Sequence, residues 1–414
     1  MSTLKGNLIF GQSGGPTAVI NASASGVFQE ALKHGDVIDK VYGAHHGIVG
    51  MLNEDFYLMN EEDPEQLELL KYTPASALGS VRYKLADADE DETDYKRLLD
   101  VFRKYNIRYF FYNGGNDSMD TCNKISKYMA EAGWEMRCMG VPKTIDNDLF
   151  GTDHSPGYGS AAKYLATSTM EVYHDATVYN NVQITILEVM GRNAGWLTAA
   201  TSLANIDGFG PDLIYLPEKT FDLDDFYADV DDALDRNNKA IIAVSEGVHT
   251  ADGLSIPEIV GEVDYDAFGH KQYGGTAEVL GDLLKDRFNC KIRTIEFSLL
   301  QRAAAHLASL TDIEEAYNAG AKAVQAALEG ETDKMVGFKR KDTDEYEIEY
   351  ILIPLEDVAN AEQKFPEEWI TNNGTGISEK FYDYALPLIQ GETKLPKENG
   401  LPKFAKLKKK PGAF

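Results

Sequence analysis

The chain has 414 residues, 43% of them hydrophobic and 26% charged. That is ordinary for a soluble globular protein and long enough for two domains with ample cores. A formal net charge of −27 argues against nucleic acid or anionic membrane as the main partner, and it obliges any anionic ligand to find a local basic patch. The opening run "MSTLKGNLIFGQSGG" has too short an apolar stretch for a signal peptide. No segment approaches the ~18 consecutive apolar residues of a membrane helix. The three cysteines, Cys122, Cys138 and Cys290, are odd in number and widely spaced, as expected in a reduced cytoplasm.

In chain order, short β-rich runs alternate with helical periodicity. "NLIFGQSGGP" reads as a strand and glycine turn, and "TAVINASASGVFQEALKHG" as a helix ending at Gly35. "DKVYGAHHG" is a strand and turn. The amphipathic "DYKRLLDVFRKYN" precedes the strand "IRYFFYNGG". The helix "SMDTCNKISKYMAEAG" precedes the strand "EMRCMGVPK". Further strands follow at "VQITILEVMG", "DLIYLPE" and "KAIIAVSEG". Such alternation predicts α/β architecture: mainly parallel sheets covered by helices in three layers, with too many strands for one sheet and hence two domains. We expect residues 1–160 to form the first domain, a segment near 300–330 to return to it, and 161–300 to form the second. Residues 331–414 are expected to be a C-terminal extension, with "DEYEIEYILIPLEDV" as a strand or strand pair. The basic tail "LPKFAKLKKKPGAF" reads as a solvated, poorly ordered end.

Some polar runs read as structure only. "DADEDETD" alternates Asp87, Asp89 and Asp91 but has Glu92 where a calcium loop needs glycine, so it is a solvated loop. His45 and His46 lack a third ligand nearby and read as a turn. His306 reads as a packed or hydrogen-bonded helix residue and Cys138 as core. His270 and Lys271 flank a glycine turn that could approach a sugar phosphate.

Four strand ends carry unusual loops: "GQSGGPT", "YNGGNDS", "PKTIDND" and "MGRNAGW". In parallel sheets, ligands bind beyond such ends. Gly14, Gly15, Gly114 and Gly115 would let backbone N–H groups approach an anion, with helix N-termini just behind. The loops lack the spacing of a P-loop and of G-x-G-x-x-G. Lys143, Asp146 and Asp148 close one buried strand. One aspartate could be a base or a metal-linked group and the other a structural hydrogen-bonder, and the lysine could neutralise a transferring phosphoryl group. An exposed, aspartate-capped turn is the alternative for that stretch alone.

Taken together, "GQSGGPTAVIN", "LGSVRYKL", "GGNDS", "PKTIDNDL", "MGRNAGW", "VSEGV" and "LLQRAAAHLASLTD" resemble the phosphofructokinase family, most closely its pyrophosphate-dependent branch, over roughly residues 5–325. The resemblance implies two α/β domains with the active site in the cleft between them. It implies phosphoryl transfer to the 1-hydroxyl of fructose 6-phosphate. Asp146 would be the base, with Asp148 orienting the loop, and Thr144 and Ile145 beside the substrate. Gly14, Gly15, Arg82, Gly115 and Ser118 would hold the donor. Met190, Gly191, Arg192, Glu246 and Leu299 would line the sugar site, and Arg293 and Arg302 would clamp its 6-phosphate.

ATP-using members resemble "GGDGS" and "PGTIDND" in two of these loops. This chain has Asp117 and Lys143 at the two variable glycines. A carboxylate at Asp117 repels and crowds a nucleotide α-phosphate, while Lys143 supplies charge to pyrophosphate. The resemblance also implies Mg²⁺, a cytoplasmic enzyme, and a homodimer or homotetramer. An ATP-dependent enzyme and a non-catalytic regulatory subunit of the same family are the rival readings, and sedoheptulose 7-phosphate is a possible second acceptor. Three departures stand out. Asn116 replaces an aspartate associated with magnesium, Leu299 replaces His or Tyr, and Gln183 falls where short ATP enzymes place an arginine from a neighbouring subunit.

Overall fold

A computed structural model describes residues 4–260, 275–359 and 361–412, with only the backbone of 264–265 and 271–272 between the first two stretches. His270, and the side chain of Lys271, lie outside the described residues. The chain divides into two compact units. The first comprises Met1–Ser160, Arg302–Gln363 and Gln390–Phe414, and the second Ala161–Gln301 and Lys364–Ile389.

The first unit is built on a seven-stranded sheet. Its spatial order is Ile348–Pro354, Lys334–Arg340, Arg137–Pro142, Ile107–Gly114, Gly6–Gln12, Ile38–Ala44 and Phe56–Leu58. The five inner strands run parallel and the two outer ones antiparallel. Residues alternate strictly between its faces. Leu8, Phe10, Tyr109 and Phe111 pack against the helices Ile20–Leu32 and Leu310–Glu329. Ile9, Phe110 and Tyr112 pack against Thr93–Lys104 and Asn116–Glu131. Burial on both faces explains why these strands are nearly continuous apolar runs. Where Ile20–Leu32 crosses Leu310–Glu329, a Cβ on Gly26 would fall 1.9 Å from the Tyr317 carbonyl oxygen, and one on Gly320 would fall 2.1 Å from that of Ser23. Only glycine permits this approach.

The second unit holds a parallel four-stranded sheet in the order Lys291–Glu296, Gln183–Val189, Lys239–Ser245, Leu213–Tyr215. Its buried side chains include Ile184, Ile186, Ile242 and Val244, packed against helices Leu223–Asn237 and Thr276–Arg287.

Residues 331–414 do not form a separate extension. Lys334–Arg340 and Ile348–Pro354 make an antiparallel hairpin that completes the first sheet, while 364–389 belong to the second unit. The basic tail is docked rather than solvated. Tyr57 bridges Pro411 across the edge strand, with Leu58 N–H donating to the Lys410 carbonyl (3.0 Å) and Gly412 N–H to that of Phe56 (2.7 Å). Beside it, the Glu62 carboxylate accepts the N–H groups of Lys408 and Lys409, both at 2.7 Å. The tail thereby covers a sheet edge that would otherwise expose unpaired backbone.

His306 sits exposed in a single 3-10 turn, Ala305–Leu307, and not in an α-helix. Cys138 is fully buried, and Cys122, Cys138 and Cys290 are all free thiols. Asp87 pairs with Lys124 at 2.9 Å. Among the described residues, no helix is long and apolar enough to cross a membrane.

Candidate active site

Three adjacent parallel strands of the first sheet deliver the loops expected to hold the donor. Gln12 pairs with Asn113, and Gly114 with Pro142, so the loops after Gln12, Gly114 and Pro142 leave the sheet side by side. Backbone bonds tie them together: Ser13 N–H to the Asn113 carbonyl (2.9 Å) and Lys143 N–H to that of Gly114 (3.1 Å). Gly14 has φ +75°. Its N–H donates to the Val81 carbonyl at 3.1 Å, and its own oxygen accepts from Ser80 Oγ at 2.6 Å. The Gly14 amide, expected to meet the donor, is therefore spent on fixing the segment that carries Arg82. What Gly14 leaves open is space, because a Cβ there would fall 3.1 Å from Lys143 Nζ.

Lys143 is 4% exposed. Burial lowers its pKa to about 8, opposed by the Asp146 and Asp148 carboxylates and reinforced by the Arg302 and Arg82 guanidinium groups. Five of the expected residues thus share one electrostatic neighbourhood. Arg302, expected only at the sugar 6-phosphate, also borders the "GQSGG" loop: its Nη1 lies 3.2 Å from the position of a Cβ on Gly15.

The "TIDND" turn is locally wired. Asp146 N–H donates to Thr144 Oγ1 at 3.1 Å, and Thr144 Oγ1 lies 3.4 Å from Asp146 Oδ2. Ile145 is buried, and Asn147, at φ +57°, accepts the Ser155 N–H at 2.9 Å. The return arm is held from the helix Leu310–Glu329. Asp312, 2% exposed, accepts the N–H groups of Gly157 and Ser160, both at 2.9 Å. Gly157 in turn pairs with Thr144. One turn further along that helix, Glu315 meets His154 Nε2 at 2.7 Å, and the other ring nitrogen faces Asp153 at 2.9 Å.

Asp148 is raised to about 7, first by burial, then by Asp146 and Glu362. Glu362 arrives through an antiparallel bridge to Leu149, with Gln363 N–H donating to the Asp148 carbonyl at 2.8 Å. Asn116 opens the helix Asn116–Glu131 and donates through Nδ2 to Asp148 Oδ2 at 3.2 Å. Its Oδ1 is buried without a hydrogen-bond partner. Such an orphaned acceptor suits a hard cation, which takes oxygen ligands. Among the described residues no group of three or more His, Cys, Asp or Glu is placed to hold a metal ion. Asp117 is exposed on the first turn of the helix, next to Gly115. Ser118 is buried, its hydroxyl packed against Gly114.

In the second unit, Val189 pairs with Ser245, which sets the "MGRNAG" and "EG" loops side by side. Met190 N–H donates to Gln301 Oε1 (3.1 Å), Gly191 N–H to Glu246 Oε1 (3.4 Å), and Ser245 Oγ to the Gly191 carbonyl (2.6 Å). Arg192 is half-buried on the same loop. Behind it, burial raises Glu188 to about 7, helped by Glu296 and Glu246 and opposed by the Ala277 N–H. Arg293 lies on the exposed edge strand Lys291–Glu296, 3.6 Å from Asp175, beside a cavity of about 350 Å³. Leu299 is 57% exposed. Gln183 is a buried residue of its strand, bonded to Thr185 at 3.2 Å.

Sequence reasoning missed Asp312, Glu362 and Glu218. "SLTD" carries a signal for the first, since Ser309 caps the helix and accepts the Asp312 N–H.

The phosphofructokinase family model matches residues 7–327, and the chain belongs to that family. It is 46% identical to the pyrophosphate--fructose 6-phosphate 1-phosphotransferase of Halomonas elongata, over 97% of this chain and 96% of that one. It is 32% identical to the sulfofructose kinase of Alkalicoccus urumqiensis, over 87% and 91%. The crystal structure of pyrophosphate-dependent phosphofructokinase from Marinobacter aquaeolei is similar at a TM-score of 0.88 and 40% identity, covering 98% of this chain and 97% of that one.

Proposed function

We propose that the protein catalyses reversible, Mg²⁺-dependent phosphoryl transfer from pyrophosphate to the 1-hydroxyl of fructose 6-phosphate, yielding fructose 1,6-bisphosphate and phosphate. The observation that carries the donor is Lys143, buried against Gly14, in a loop where ATP-using members have glycine. Relatives over nearly the full length that are named for this reaction support the same reading.

In the forward direction Asp146 takes the proton of the 1-hydroxyl. The sugar oxygen bonds to one phosphorus while the bridging P–O bond breaks, and phosphate departs with that electron pair. The Asp146 carboxylate is oriented by Thr144, so proton removal starts from a set geometry. Lys143 and Arg82 balance charge on the transferring and leaving groups. Gly15, Gly115 and Ser118 frame the donor, and Asp117 excludes a nucleotide. Asp148 orients the turn. Mg²⁺, when bound, offsets charge on the pyrophosphate oxygens, and Asn116 would hold it through Oδ1. Met190, Gly191, Arg192, Glu246 and Leu299 serve the sugar, with Arg302 and Arg293 available to its phosphate. The enzyme would work in the cytoplasm as a homodimer or homotetramer.

Replacing Asp117 with glycine tests the donor gate. Pyrophosphate-driven kcat/KM should fall at least about tenfold and ATP should gain measurable turnover. Unchanged kinetics with both donors would remove Asp117 from this role.

A further inference from the structure

Glu218 joins the "MGRNAGW" loop to the C-terminal segment 364–389. Its Oε1 accepts the Gly195 N–H at 2.9 Å and the Phe365 N–H at 3.1 Å. One residue on, Trp196 is 2% exposed. Its ring centroid lies 5.1 Å from Phe365, 5.3 Å from Tyr384 and 6.0 Å from Trp369, all on the C-terminal segment. That segment is itself anchored, because Ile214 N–H of the sheet-edge strand donates to the Thr375 carbonyl at 3.0 Å. Lys219 also pairs with Glu367 at 3.0 Å. The loop Met190–Gly195 is therefore fixed at both ends. Gln301 and Glu246 hold its start, and Glu218 with the aromatic cluster holds its finish.

We propose that Glu218 is a positioning residue for the sugar phosphate, and that segment 364–389 is the platform against which the sugar loop is set. This rests on the reading that Met190, Gly191 and Arg192 bind the sugar. Glu218 does not touch the substrate. It removes the freedom of the backbone that carries Arg192, so that the cost of ordering the loop falls on folding and not on binding. A carboxylate suits the task because one oxygen can accept two N–H groups, each bond strengthened by its charge.

The test separates sugar from donor. For Glu218→Ala, KM for fructose 6-phosphate should rise about tenfold or more, while KM for pyrophosphate stays within about twofold. Glu218→Gln retains the volume and one acceptor oxygen and should lie between. It carries the comparison if the alanine variant fails to fold. A merely structural loss would lower the active fraction and leave both KM values alone.

A second readout needs no catalysis. With Trp134→Phe, the remaining tryptophans of the three in the chain are Trp196 and Trp369, both in the cluster. Fructose 6-phosphate alone should change their fluorescence saturably, and Glu218→Gln should move the midpoint upward. Pyrophosphate alone should leave the emission unchanged. An unchanged sugar KM, or an equal rise in both KM values, would overturn the proposal. So would emission indifferent to the sugar in a protein that turns it over. Absence of wild-type turnover with saturable sugar binding would instead count against the assigned reaction.

Discussion

Lys143 Nζ lies 3.1 Å from the point that a Cβ on Gly14 would occupy. Two motifs more than a hundred residues apart thus meet at one contact. The glycine has φ +75°, where a side chain is strained regardless of space. Gly14→Ala should therefore displace the ammonium group as well as strain the turn. We expect kcat to fall at least about tenfold, and stability by roughly 1–2 kcal/mol. Steady-state kinetics and urea unfolding on one preparation would check both. Wild-type kcat in a folded variant would separate the glycine from the lysine's function.

The base assignment gives a larger effect. Asp146→Asn keeps the shape of the turn, since the residue's N–H still donates to Thr144. Turnover should fall by a factor of about 10² or more while the circular dichroism spectrum and melting temperature hold. Normal turnover in this variant would require another base.

The return arm of the same loop carries a pH signature. Burial disfavours charge on His154, but Glu315 and Asp153 more than offset it and raise the pKa to about 9. Arg340 on the adjacent strand also binds Asp153, and Tyr346 binds Glu315. A raised folded-state pKa means that the stabilisation is fully present below the ordinary histidine value of about 6.5. It is lost as pH rises through about 9. Stability should decline across that window in the wild type and decline less in His154→Gln. Parallel pH–stability curves for the two would place the dependence on another group.

The docked tail is open to direct test. Glu62 is 6% exposed and accepts two tail N–H groups at 2.7 Å. Glu62→Ala should cost about 2 kcal/mol. It should also expose the lysines at 406–410 to trypsin, with cleavage seen as a small loss of mass. Equal protease resistance would mean that the edge-strand pairing alone holds the tail.

Much of the unit built on the seven-stranded sheet was legible in the sequence, for physical reasons. Strands buried on both faces are continuous apolar runs, as in "IRYFFYNGG", and the chemistry falls on glycine and charge at their ends. The tail misled because its pattern is basic and proline-flanked. Its partners, Glu61, Glu62 and Asp63, lie some 350 residues earlier, and no local rule couples segments so far apart. For the same reason Glu362 and Glu218 were invisible, since their positions follow from tertiary pairing. At Gly14 the motif was legible but the use of its amide was not. Glycine there suggested an anion cradle, whereas the N–H faces Val81. The "SLTD" cap was legible locally, but the loop that Asp312 holds was not.

The central claim is the donor, and a donor comparison tests it most directly. Purified protein, Mg²⁺ and fructose 6-phosphate would be mixed with pyrophosphate or with ATP, and fructose 1,6-bisphosphate followed. Turnover with pyrophosphate and none with ATP is the expected result, with phosphate driving the reverse reaction from fructose 1,6-bisphosphate. Turnover with ATP alone would leave Asp146 as base and contradict the donor roles of Lys143 and Asp117.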